Sequence, residues 1–292
     1  ITPSVTALDK SGHVDLEANS RLYENLITNG MDGILILGSI GEFFAIPMEE
    51  KKALVENAVK TVAGRVELLV GTNCMVQSEC IEFSNYALEQ GADAVMVVAP
   101  YYFNIPDSGV EYFFDTIAKK IKGDMYLYNF PARTGYALKP EMIKQLVANN
   151  KNIVGIKDTV PNMDSTRSII QKVKREYPNF KVYSGFDEFF GHNLLSGGDG
   201  CITGISNFAP GVAAGYADAA RRDDLAAMQV YQQKIDSMMS IYEIGEQFVP
   251  IIKKAIQLTG IQIEDRCTEP LQSATDEETE AIRRMLKQNG VI

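Results

Sequence analysis

Histidine is nearly missing from this chain. Only His13 and His192 occur among 292 residues, too few ligands for a histidine-rich catalytic centre, so no protein-bound metal is expected. Cysteine is scarce as well. Cys74, Cys80, Cys201 and Cys267 form no CxxC pair and have no neighbouring histidine, which excludes a zinc-finger spacing and a disulfide framework and leaves reduced, structural thiols. Basic clusters with interleaved aromatics are lacking, and the net charge is -10 with a pI near 4.9. That balance argues against a nucleic-acid partner. No apolar stretch approaches the ~20 residues of a membrane span; the longest, such as Gly33–Leu37 and Ala92–Ala99, read as buried strands. No charged-then-apolar leader with a small-residue cleavage site opens the chain, so the cytoplasm is the expected compartment.

What is present is the composition of a globular protein, 46% hydrophobic and 23% charged. Short β-branched apolar runs recur every 20 to 35 residues or so, the length of a strand, a helix and two loops. Strands are expected at Thr2–Thr6, Gly33–Leu37, Glu67–Gly71, Ala94–Val98, Met125–Asn129, Ile153–Lys157, Lys181–Ser184 and Cys201–Thr203. Amphipathic segments lie between them; in Met48–Glu56, for example, Met48, Leu54 and Val55 alternate with a charged face. Eight such units predict an α/β fold, a (β/α)8 TIM barrel over residues 1–222, with an open doubly wound sheet as the alternative. Residues 223–292 carry only helical patterning, at Asp224–Tyr242, Gln247–Leu258 and Thr275–Gln288, with Pro250 in the first turn of the middle helix and Gly245 and Gly260 flanking it. They read as a C-terminal helical extension of the same domain with no function of its own.

In such a barrel the reacting groups close the strands. Asn152-Ile153-Val154-Gly155-Ile156-Lys157 carries an apolar strand straight into an amine. Desolvation there disfavours the charged form and favours the free amine that carbonyl addition needs, although a strand-end lysine also snorkels to solvent readily. Tyr128 closes the neighbouring strand, either as a proton carrier beside Lys157 or as a core ring with a wet hydroxyl. Ser39, in the loop Gly38-Ser39-Ile40-Gly41-Glu42, also suits an ordinary turn.

Taken together these segments resemble the dihydrodipicolinate synthase / N-acetylneuraminate lyase family over nearly the whole chain. Gly38-Ser39-Ile40-Gly41-Glu42 is similar to its Gly-Ser/Thr-Thr-Gly-Glu loop, Tyr128-Asn129-Phe130-Pro131 to its tyrosine motif, and Gly155-Ile156-Lys157 to its Schiff-base lysine motif. The resemblance implies that Lys157 forms an imine with pyruvate and that Tyr128 moves protons. It implies too that Ser39 and Tyr102 link Tyr128 to solvent, Tyr102 coming from the adjacent subunit of a dimer or a dimer of dimers. Ser39 and the Ile40 amide would hold the keto-acid carboxylate, Ile202 would lie against the pyruvyl group, and no cofactor would be needed.

Departures from the family pattern divide its branches. Ile40 replaces a threonine that synthases and sialic acid lyases use. Lys157-Asp158-Thr159 resembles the 2-keto-3-deoxy sugar acid aldolases, with Thr159 offering a hydroxyl to a polyhydroxy substrate or serving as a β-branched strand residue. Gly185-Phe186-Asp187-Glu188 supplies further acceptors, unless Asp187 caps the next helix. Arg133 pulls the other way, since its position resembles the synthase arginine that grips a second carboxylate; it also suits a surface or subunit contact. The expectation is a class I aldolase that cleaves a 2-keto-3-deoxy sugar acid to pyruvate and an aldehyde. The alternatives are a dihydrodipicolinate synthase, an N-acetylneuraminate lyase, and a non-catalytic keto-acid-binding barrel.

Overall fold

The computed structural model describes residues 1–292. Eight strands form one parallel sheet whose order is the order of the chain. They are β1 (Thr2–Pro3), β2 (Gly33–Ile36), β3 (Glu67–Gly71), β4 (Ala94–Val98), β5 (Asp124–Asn129), β6 (Ile153–Asp158), β7 (Lys181–Ser184) and β8 (Gly200–Cys201). Between and after them come α1 (Leu16–Thr28), α2 (Met48–Val62), α3 (Gln77–Gln90), α4 (Asp107–Lys120), α5 (Pro131–Thr134), α6 (Pro140–Asn149), α7 (Met163–Ile169), α8 (Phe190–Leu195), α9 (Pro210–Arg221), α10 (Leu225–Met238), α11 (Phe248–Leu258) and α12 (Asp276–Gln288). A sequential parallel order with a helix after every strand is the (β/α)8 order; a doubly wound sheet reverses direction and would break it. Strands covered on both faces need continuous apolar runs, and every residue of β2 and of β4 is buried.

The chain divides into two compact units, Ile1–Leu68 with Thr203–Ile292, and Leu69–Ile202. In the first, β1 pairs with β2, Thr2 opposite Ile34 and Pro3 opposite Leu35. Helices α1 and α2 pack together there and bury Leu22, Leu26, Leu54 and Val55. The unit also holds the C-terminal helices, which begin where the sequence signals them. Asp224 caps α10 by accepting from the Ala227 amide at 3.0 Å, and Thr275 with Glu278 forms a capping box at α12, devices worth about 1 kcal/mol each. Pro250 is the third residue of α11, where its missing N–H costs nothing.

Strand β1 is shorter than the expected Thr2–Thr6. After the Ser4 amide bonds to Leu35 O, side chains take over: the Val5 amide donates to Asn207 Oδ1 and the Ala7 amide to Asn19 Oδ1. Strand β8 likewise ends at Cys201, although the Ile202 amide still reaches Ser184 O at 2.9 Å.

In the second unit β4, β5, β6, β7 and β8 pair in turn. Their registers place Tyr128 beside Lys157 and Lys157 beside Tyr183.

Candidate active site

Strand alternation builds the lysine's surroundings. Residues two apart share a face, so Gly155 and Lys157 of β6 sit on one side with Tyr126 and Tyr128 of β5, opposite them in register. Glycine is required at 155: a Cβ there would meet the Tyr126 ring at 2.4 Å and Lys181 O at 2.8 Å. Tyr126 thereby occupies the space alongside Gly155, its ring centroid 6.1 Å from that of Tyr183. Lys157 is only 5% exposed, and its Nζ lies 4.6 Å from the centroid of the buried Tyr128 ring. Tyr128 in turn stacks on Phe130 at 5.7 Å. The snorkelling lysine is thus excluded, and the two residues that the sequence singled out are neighbours.

Thr159 and Gly185 belong to the same cluster. A Cβ on Gly185 would lie 1.9 Å from Thr159 Oγ1 and 3.2 Å from Lys157 Cε, so the glycine is what lets the threonine hydroxyl and the lysine stem crowd one spot. Thr159 Oγ1 is buried and has no hydrogen-bond partner, a costly condition unless something outside the chain supplies one. Asp187 is buried at the first position of the 3-10 turn Asp187–Phe189; the cap position belongs to Phe186, so the helix-cap reading of Asp187 fails. Burial pushes the Cys201 thiol up to about 12, with Asp187 adding to the rise and Lys157 opposing it, so both groups lie within electrostatic reach of that sulfur. Ile202 is buried next to it and Glu188 is half-buried on the Asp187 turn.

The opposite face of the same strand ends carries a joint that sequence reading left without a role. Asp158, fully buried, accepts from Asn129 Nδ2 at 2.7 Å, Thr166 Oγ1 at 2.7 Å and Ser165 Oγ at 3.2 Å. Asn129 Oδ1 takes the Leu138 amide at 2.9 Å. Because Asn129 and Asp158 are the register pair directly after Tyr128 and Lys157, this joint fixes how those two residues meet. Desolvation raises the Asp158 carboxyl above its usual range, and its three donors work against that rise.

Tyr102 and Arg133 lie apart from the buried cluster. Tyr102 is 87% exposed, has φ of +88°, and touches Phe103 edge-on at 5.0 Å; for a bulky residue that backbone is a true outlier. The segment leading to it is clamped by Tyr136, whose hydroxyl donates to Pro100 O at 2.5 Å and whose phenol burial pushes up to about 12. Arg133 is exposed on α5, its guanidinium 5.8 Å from the Phe130 ring centroid.

Ser39 and Ile40 belong to the other unit, in the loop after β2. Ser39 is half-buried and Ile40 buried. Leu37 and Glu42, with φ of +54° and +56°, bracket the loop in the left-handed region, and a Cβ on Gly41 would meet Leu37 N and Ser4 O at 3.1 Å. Loop amides at 42 and 43 donate back to Ser39 O and Gly38 O, a tight turn of the sort that offers backbone N–H groups to an anion.

Sequence reading missed Tyr126, Tyr183, Tyr136 and Lys253. Each is an unremarked aromatic or basic residue in a strand, turn or helix, and only register or packing assigns it a partner.

Known proteins match along the whole chain. The model of the dihydrodipicolinate synthetase family matches residues 1–289. An Escherichia coli protein named "Probable 2-dehydro-3-deoxy-D-pentonate aldolase YjhH" is 34% identical over 292 residues, 100% of this chain and 97% of that protein. A 4-hydroxy-tetrahydrodipicolinate synthase of Hydrogenobaculum is 32% identical over 295 residues, covering 100% of both. The crystal structure of YagE, an Escherichia coli prophage protein solved in complex with pyruvate, superposes with a TM-score of 0.97 at 34% identity, covering 100% of this chain and 98% of that one.

Proposed function

The chain belongs to the dihydrodipicolinate synthetase family, and from that membership we propose that it is a pyruvate-dependent carbon–carbon lyase that cleaves a 2-keto-3-deoxy sugar acid to pyruvate and an aldehyde through a Schiff base on Lys157. The observation that carries this reading is the buried Lys157 amine over the Tyr128 ring. A primary amine held at a strand end beside a phenol supplies the nucleophile for addition to a keto carbon, with a proton carrier next to it.

Lys157 Nζ adds to C2 of the keto acid, and loss of water leaves an iminium. Tyr128 removes the proton of the C4 hydroxyl, the C3–C4 bond breaks with its electrons flowing into the iminium, and the aldehyde leaves. The enamine takes a proton at C3, and water releases pyruvate and the free lysine. Ser39 and the Ile40 amide hold the keto-acid carboxylate, and Ile202 lies along the pyruvyl group. Ser39 and Tyr102 relay the Tyr128 proton to solvent, Tyr102 from a partner subunit of a homodimer or homotetramer. Thr159, Gly185, Asp187 and Glu188 receive the hydroxylated tail.

The unpartnered Thr159 hydroxyl beside Lys157 favours a polyhydroxy substrate, as does the likeness to a protein named as a deoxy-pentonate aldolase. Arg133 supports the synthase alternative by its position, yet its guanidinium is already stacked on Phe130. No helix is long and apolar enough to cross a membrane, and four cysteines that form no disulfide suit a reducing cytoplasm.

Borohydride reduction in the presence of pyruvate should leave a covalent adduct, seen by mass spectrometry, that Lys157→Ala abolishes. Pyruvate release across a panel of 2-keto-3-deoxy acids should exceed condensation of pyruvate with aspartate semialdehyde. An adduct that persists in Lys157→Ala would refute the lysine assignment, and no adduct in the parent would favour a binding protein without the chemistry.

A further inference from the structure

The loop that carries Ser39 and Ile40 is anchored from below by an ion pair with no access to solvent. Glu42 and Lys253 are both 0% exposed, and Glu42 Oε1 lies 2.5 Å from Lys253 Nζ. The second carboxylate oxygen is equally engaged: Glu42 Oε2 accepts from the Thr268 amide at 2.6 Å and the Thr268 hydroxyl at 2.8 Å. Lys253 Nζ donates onward to Arg266 O at 2.7 Å. Its neighbour Lys254, on the same helix α11, holds Asp265 at 2.6 Å. Residues 265–268 are therefore strapped to α11 by two consecutive lysines, and Glu42 is strapped to both.

Burying two opposite charges is a poor way to gain stability, because desolvation consumes most of the attraction and an apolar pair of similar volume commonly does as well. What such a pair supplies is direction, since a carboxylate with one oxygen against an ammonium and the other on two fixed donors has one orientation. Here the direction matters to the loop. Glu42 sits in the left-handed region at φ +56°, one residue after Gly41, whose carbonyl is held by Thr6 Oγ1 at 2.7 Å and whose Cα has no room for a side chain. Its own amide turns back to Ser39 O at 3.2 Å. Fixing the Glu42 side chain thus fixes the turn that presents Ser39 and Ile40.

We propose that Glu42 and Lys253 are positioning residues for the keto-acid carboxylate, the pair holding the Ser39–Ile40 turn in the conformation that receives it. The inference rests on the reading that Ser39 and Ile40 bind that carboxylate. It also gives the C-terminal extension a part in the site. Neither residue touches substrate; each acts through the loop backbone.

The double variant Glu42→Gln/Lys253→Met removes both charges together and leaves no buried charge alone. Borohydride trapping is then measured against concentration for pyruvate and for methyl pyruvate, the ester that lacks the carboxylate. The half-saturating pyruvate concentration should rise about tenfold or more, because a displacement of ~1 Å at a binding group costs on that order. Trapping at saturating pyruvate should stay within about threefold of the parent, and half-saturation by the ester within about twofold. Thr268→Val, which leaves the ion pair and removes one hydrogen bond to Glu42, should raise half-saturation for pyruvate alone by about threefold; it decides the matter if the double variant does not fold. Unchanged half-saturation for pyruvate in a folded variant would overturn the positioning role, and so would equal losses for pyruvate and ester, which mark general damage. A parent protein that forms no pyruvate adduct would instead overturn the functional reading on which the inference stands.

Discussion

Thr159 is the residue whose structural and chemical interests diverge most. Its hydroxyl is buried without a partner and crowded against Gly185 beside the Lys157 stem. A buried hydroxyl left unpaired costs ~1–3 kcal/mol, so Thr159→Val, which keeps the branched shape, should leave the melting temperature unchanged or raise it by a few degrees. If that hydroxyl meets the tail of a polyhydroxy acid, kcat/KM for cleavage should fall about tenfold in the same variant while pyruvate trapping stays intact. Thermal denaturation and steady-state kinetics on one preparation read both. A stabilised variant with unchanged cleavage would mean that Thr159 is a strand residue and no more.

At the scale of elements, the ends of β5 and β6, which carry Tyr128 and Lys157, are joined through Asp158. Its carboxyl is raised, chiefly by desolvation. The sign follows from linkage: as pH climbs past the unfolded value of 3.8 the unfolded chain ionises first, so the aspartate's contribution is greatest at or below that pH and declines as pH rises through the folded value. Asparagine does not titrate. The stability of the parent relative to Asp158→Asn should therefore decrease as pH is raised from about 4 to 7, read from urea midpoints at fixed ionic strength. A gap that widens with pH would mean that Asn129, Thr166 and Ser165 outweigh desolvation and hold the carboxyl low.

For the molecule as a whole, Tyr102 and Phe103 stand 87% and 72% exposed at the end of a strained turn that Tyr136 clamps. Large aromatics are kept in the open at a cost in solubility, and an adjacent subunit is what the family reading places over them. If Tyr102 serves the partner's Lys157, then Tyr102→Phe and Lys157→Ala chains, each inactive alone, should regain part of the parent activity when mixed, since one site in every hybrid holds both intact residues. Recovery approaching about a quarter of parent activity is the ceiling for random dimers, in which roughly half are hybrids with one good site of two. Hybrids confirmed by native mass spectrometry that recover nothing would show that Tyr102 acts within its own chain or not at all.

Much of this was legible in the sequence. The strand runs and the helix starts at Asp224 and Thr275 follow from local chemistry: burial on both faces demands unbroken apolar strands, and a side chain with the right oxygen at the right offset caps a helix wherever it occurs. Tyr128 and Lys157 stand out by their strand-end positions and are paired by the resemblance to a family. Periodicity alone also placed Pro250 in a first turn. Other residues acquired their meaning only from partners far along the chain. Gly155 answers to the ring of Tyr126, Gly185 to Thr159 and Lys157, and Glu42 to Lys253 and Thr268. The physical reason is that backbone propensity and amphipathic period depend on neighbours within a turn or two, whereas close packing and the satisfaction of a buried charge depend on atoms that folding alone brings together.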